Sequence, residues 1–222
     1  MPVSFDIRRL RRRIWREARR ELATAGLSPG ARVTIIAAPT AASLVTIYVV
    51  ASIEREYSAD IRVLMLGSDE AISSVAGRLG LRVDCMEGEE VTPLDVLLLA
   101  LRERRSQRNP VTPLTSEDLA LLALIDALSP PPVAALIDAL ARPIHPLGKI
   151  SAAEVSAYAE LIRPGSKRLR STLAEGHHLL QLVRITTPYA LRALYNVLTV
   201  LVRESGRCLG ELKGRSSEPA PW

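Results

Sequence analysis

The chain is poor in aromatic side chains, 4% of 222 residues with a single Phe. That excludes the stacking platforms on which single-strand-binding sheets hold bases. Cysteine is as scarce: Cys85 and Cys208 are too few and too far apart for a paired-thiolate zinc site or a secreted disulfide framework. A reducing, cytoplasmic compartment is therefore expected, with Cys85 a buried, inert thiol. The three histidines suggest no metal site, because His177 and His178 are adjacent on a predicted helix and diverge by about 100°, and His145 before Pro146 reads as structural. The only long uncharged run, residues 33–53, is interrupted by Pro39 and carries Thr34, Thr40, Ser43, Thr46 and Ser52. No membrane span is expected from it, and the Arg-rich residues 8–20 have no apolar region behind them of the kind a cleavable leader needs.

The chain does hold enough apolar residues, 48%, to bury one substantial core. Its net charge of +5 is concentrated. Arg8, Arg9, Arg11, Arg12, Arg13, Arg16, Arg19 and Arg20 stand against Asp6, Glu17 and Glu21, so the excess lies within the first 21 residues and the remainder is balanced. Such a cluster attracts phosphate with strong salt dependence, although a charge run on a terminal helix also serves as a solvated face. Lys167, Arg168 and Arg170 form a second candidate cluster for nucleic acid.

Ile7, Leu10, Ile14, Ala18 and Leu22 recur at spacings of three and four and predict a helix from Ser4 to Ala25. Strands are then predicted at 32–38, 61–66, 81–85, 110–114 and 141–146. They alternate with helices at 41–56, 69–79, 92–106, 115–128 and 151–162. Helices at 167–183 and 188–204 and a polar tail follow. Thr92-Pro93-Leu94-Asp95 and Ser151-Ala152-Ala153-Glu154 carry the capping chemistry of helix starts. This order predicts an α/β fold, a five-stranded parallel Rossmann-like sheet with right-handed crossovers. The expected division is a basic helix over 1–30, an α/β domain over 31–163, a helical extension over 164–205 and a flexible tail over 206–222.

The turn between the first strand and the following helix is the natural place for phosphate, because strand end and helix N-terminus present free N–H groups and a positive dipole. Here it reads Ala38-Pro39-Thr40-Ala41-Ala42-Ser43-Leu44. Glycine is missing from it, Pro39 removes one N–H, and no acid or lysine is present. Downstream, Glu117-Asp118 opens the helix after Thr115. Two acids in a first turn also simply complement the helix dipole.

Taken in order, these segments resemble the PP-loop ATP pyrophosphatases, in particular the branch that makes 2-thiouridine or 2-thiocytidine in tRNA. That branch begins with a basic helix and a Gly-x-x-Val strand, matched by Arg11 to Gly30 and Val33. Its Ser-Gly-Gly-x-Asp-Ser-Leu loop falls on residues 38–44, where only Ser43-Leu44 is kept, and its Gly-His-Asn-x-Asp-Asp segment falls on Leu114 to Asp126 with Glu117-Asp118 retained. A following Pro-Leu segment and Glu-Val helix match His145-Pro146-Leu147 and Glu154-Val155 to Tyr158-Ala159. The resemblance implies a HUP-type, adenine nucleotide alpha hydrolase-like sheet, ATP at Ala38, Pro39, Thr40, Ala41, Ala42, Ser43, Glu117 and Asp118, and tRNA as partner of the basic residues.

The departures imply a pocket that no longer handles ATP. Two cysteines are also too few for the sulfur-carrying cluster of such enzymes. The expectation is a non-catalytic partner or scaffold in tRNA thiolation or modification, paired with an intact PP-loop paralogue or with itself. Two rival readings stay open. One is an active, adenylating, sulfur-transferring enzyme rebuilt around Thr40, Ser43, Glu117 and Asp118. The other is a generic RNA- or protein-binding module.

Overall fold

The computed structural model describes residues 6–88, 90–128 and 143–175. Helix α1, Ile7–Thr24, starts at Asp6, whose carboxylate accepts the N–H of Arg8 and Arg9. The apolar stripe buries Leu10, Ile14, Ala18 and Leu22, while Ile7 is exposed. There follow β1 (Arg32–Ala37), α2 (Ala41–Glu54), a 3-10 turn, β2 (Asp60–Leu66), α3 (Glu70–Arg78), β3 (Arg82–Met86), α4 (Pro93–Arg105) and β4 (Asn109–Val111). The remaining described helices are α5 (Ser116–Leu128) and α6 (Ala152–Ile162). Both capping boxes form, Thr92 with Asp95 and Ser151 with Glu154.

The sheet is parallel and four-stranded, in the order β3-β2-β1-β4. Alternation along β1 divides the core in two. Val33, Ile35 and Ala37 face α1, α2, α3 and α6, whereas Ile36 and the following Ala38 face α4 and α5. Helix α2 is covered nearly all round, as its unbroken apolar sequence requires.

Among the described residues of the expected fifth strand, Ile144 alone pairs with the sheet. Ile144 donates its N–H to Pro110 O at 2.9 Å and accepts from Thr112 N at 2.9 Å, in a single parallel bridge beside β4. Pro143 and Pro146 bracket it and cannot donate to a ladder; positions 141 and 142 lie outside the described residues. Pro110 is tolerated in β4 because its carbonyl points to this outer side. Its missing N–H lies there too and takes nothing from the pairing with β1.

Two further expectations are corrected. Cys85 is exposed, because β3 is the edge strand and Cys85 lies outside the apolar clusters. The helix expected from Lys167 is instead a 3-10 turn, Ser166–Arg168, followed by extended chain through Arg170. Pro164 ends α6, Gly165 adopts φ +90°, and the Glu160 carboxylate accepts the N–H of Gly165 at 2.9 Å and of Lys167 at 3.2 Å. The turn does not continue as a helix because Leu169 is extended (φ −74°, ψ 143°) and Arg170 pairs with Thr40 in a parallel bridge. The rest of that predicted helix, the helix at 188–204, His177, His178 and Cys208 lie outside the described residues.

Candidate functional site

The turn 38–43 sits at the carboxyl end of β1, inside the sheet, where open α/β folds place ligands. Thr40 is extended (φ −137°, ψ 154°) and caps α2, its Oγ1 accepting Ser43 N at 3.2 Å. Ser43 is fully buried and its Oγ accepts the N–H of Ala38 at 2.9 Å. Pro39 packs over the end of β2, where Gly67 holds φ +80°; a Cβ there would meet Gly88 O at 3.3 Å and Pro39 Cγ at 3.4 Å. The proline is thus built into the wall of the turn, and Gly67 gives it room.

The N–H groups that would receive phosphate are taken by the chain itself. Ala41 N donates to Arg170 O at 2.8 Å and Ala42 N to Ser171 O at 3.2 Å, and Thr40 pairs with Arg170 in a parallel bridge. Residues 169–175 form a strap across the N-terminus of α2. Thr172, Leu173 and Ala174 are buried, and Leu173 packs with Ile36, Leu114 and Leu119.

The acidic pair holds this arrangement. Asp118 is fully buried; its Oδ1 accepts the N–H of Ala174 at 2.7 Å, and its Oδ2 accepts Thr115 N and Oγ1, each at 2.9 Å. Burial pushes its carboxyl up to about 6, against the lowering effect of the Thr115 and Ala174 donors and with a smaller upward push from Glu117. Glu117 Oε1 accepts the N–H of Ala152 at 2.9 Å, capping α6 rather than its own helix, and its Oε2 accepts Ser116 Oγ at 2.8 Å. Both carboxylates therefore fasten backbone from distant parts of the chain.

These residues do not fit a triphosphate. Pro39 has no N–H, the amides of Ala41 and Ala42 are engaged, and Glu117 and Asp118 are already ligated. An iron–sulfur cluster held by three or four thiolates fits no better, because the chain has two cysteines. Among the described residues no group of three or more His, Cys, Asp or Glu is placed to hold a metal ion.

The arginines of α1 separate into two sets. Arg13 turns inward, pairing with Glu154 and donating to Lys149 O at 3.0 Å. Arg16 and Arg20 lie near Glu17 at 3.6 and 3.9 Å, and Arg19 lies 3.5 Å from Glu56. Arg8, Arg9, Arg11 and Arg12 are exposed, and their guanidinium groups form no ion pair among the described residues. Arg11 and Arg19 lie over the Trp15 ring at 5.8 and 6.0 Å, and Trp15 Nε1 donates to Tyr158 OH at 2.9 Å. Lys167 and Arg168 are exposed on the 3-10 turn. Arg170 folds back, its Nη2 donating to Leu173 O at 2.9 Å and Glu175 O at 2.7 Å.

The U34-tRNA thiolase NcsA from Methanococcus maripaludis, solved with its [4Fe-4S] cluster, superposes with a TM-score of 0.66 at 14% identity, over 87% of this chain and 79% of that one. The chain shares that structure's fold. An NH3-dependent NAD synthetase from Campylobacter jejuni, in complex with nitrate, aligns at a TM-score of 0.47 and 13% identity over 99% of this chain and 100% of that one. No family model matches the chain, and no curated protein does. The fold agrees with the PP-loop resemblance of the sequence. No described helix is long and apolar enough to cross a membrane.

The strap itself was not legible in the sequence. Pro164-Gly165 marks a break, but nothing in residues 169–175 signals that their carbonyls seek a helix N-terminus.

Proposed function

We propose that this protein is a PP-loop-like, non-catalytic partner or scaffold in tRNA thiolation or modification, working in the cytoplasm beside an intact PP-loop enzyme that supplies the ATP chemistry. The observation that carries the reading is the pairing of Ala41 and Ala42 N–H with Arg170 and Ser171 carbonyls. A phosphate in this position would have to break both hydrogen bonds and lift the strap whose next residues, Thr172, Leu173 and Ala174, are buried. The thiolase fold supports the connection to tRNA. The exposed set Arg8, Arg9, Arg11 and Arg12 supplies an electrostatic footprint for it.

Titration calorimetry with ATP and magnesium, with and without tRNA, decides the matter. The expected result is no saturable heat and no pyrophosphate release. Micromolar ATP affinity, or pyrophosphate production abolished by Ser43→Ala, would establish the rebuilt enzyme instead.

A further inference from the structure

We propose that the outer face of α4 is a self-association surface on which two copies of this chain pack α4 against α4 in antiparallel orientation. Helix α4 turns Val96, Leu97, Ala100 and Glu103 into the protein. On the opposite side it leaves Leu94 at 38% and Leu98 at 56% exposed, with Leu101 half-buried between them and Arg105. Single exposed leucines are ordinary on a soluble protein. Three at spacings of four and three are a seam, the pattern by which one helix packs along another.

Charge selects the occupant. Asp95 and Arg102 are seven residues apart and exposed on the same flank of the seam. In an antiparallel two-fold pair centred near Leu98, Asp95 of one copy lies against Arg102 of the other, and the reverse pair forms by symmetry. Arg102 has no acidic partner among the described residues. Asp95 uses only Oδ2 in its capping box, at 2.9 Å from Thr92 N and 2.6 Å from Thr92 Oγ1, which leaves Oδ1 open. A parallel pair would set the Asp95 flank against the opposite flank, where Leu97 is already buried in its own core. The face is complementary to itself in one orientation only.

A contact made by a single 13-residue helix is small, so a weak, concentration-dependent association is expected. Sedimentation velocity of the full chain from about 1 to about 300 µM should show a concentration-dependent dimer. Leu98→Asp should abolish it. Arg102→Glu, which sets Asp95 against an acid, should weaken it at least about tenfold, and adding Asp95→Lys should recover most of the loss. A monomer at every concentration overturns the proposal, as does a dimer indifferent to both Leu98→Asp and Arg102→Glu. A monomer whose melting temperature drops on Leu98→Asp also overturns it, by identifying the rest of the chain as the cover of this face.

Discussion

The N–H of Ala41 donates to the carbonyl of Arg170 at 2.8 Å, and this bond converts a helix N-terminus of the kind that holds anions into an internal joint. If the joint is structural, its parts respond as core and cap residues do. Thr40→Val removes the acceptor of Ser43 N–H and should lower stability by about 1–2 kcal/mol. Leu173→Ala, at the far end of the strap, should cost about 2–5 kcal/mol. Urea unfolding reads both. A loss in either case of less than a few tenths would show that the strap is not part of the folded core.

Asp118 gives the protein a specific pH dependence. Its carboxyl is raised from the ordinary 3.8 to about 6, so between those values the folded state binds the proton more tightly than the unfolded chain. Stability from this group is full below the lower value, falls as pH rises through the window, and is flat above it. The fall is on the order of 3 kcal/mol. Urea midpoints of the wild type and Asp118→Asn should converge or cross between about pH 4 and pH 6 and run parallel above. Parallel behaviour throughout would mean that Asp118 titrates normally.

Neighbouring arginines on α1 should behave differently. Arg13 pairs with Glu154 and Lys149 O in a half-buried contact, so Arg13→Ala should destabilise by about 1–3 kcal/mol. Arg12→Ala, one residue earlier and exposed, should stay within about 0.5 kcal/mol. Thermal melts of the two variants compare them directly, and equal shifts would remove the distinction.

The converse holds for tRNA. Replacing Arg8, Arg11 and Arg12 together with Gln should weaken tRNA binding and make the log–log salt slope shallower by about 2 units. Lys167→Gln with Arg168→Gln tests the second cluster by the same assay. Arg170→Gln should act through stability, because that guanidinium binds the Leu173 and Glu175 carbonyls. Unchanged slopes in the first variant would dissociate α1 from RNA.

Local pattern made most of the elements legible. The β-branched run of Val33, Thr34, Ile35 and Ile36, the 3.6-residue stripe of Leu10, Ile14, Ala18 and Leu22, and the Thr92 and Ser151 caps all express short-range physics that the sequence carries openly. The limits came where distant chain competes for the same backbone groups. Thr34 Oγ1 bridges Glu103 at 3.1 Å, Arg62 at 3.3 Å and Arg108 at 2.9 Å, a knot drawn from β1, α4, β2 and the loop before β4 that no periodicity reveals. Glu117 and Asp118 were visible as a pair, yet their partners, Ala152 and Ala174, lie far along the chain.

By itself the sequence determined that this would be a parallel α/β protein with a basic first helix and a strand-to-helix turn stripped of glycine and acid, because side-chain period, capping residues and missing residues act locally. Only the tertiary structure decided that, among the described residues of the expected fifth strand, Ile144 alone would pair with the sheet, and that Cys85 would face solvent on an edge. It also decided that the amides of that turn would be closed by residues 170 and 171. A backbone N–H carries no mark of its partner in the sequence, and which carbonyl reaches it depends on how the whole chain packs.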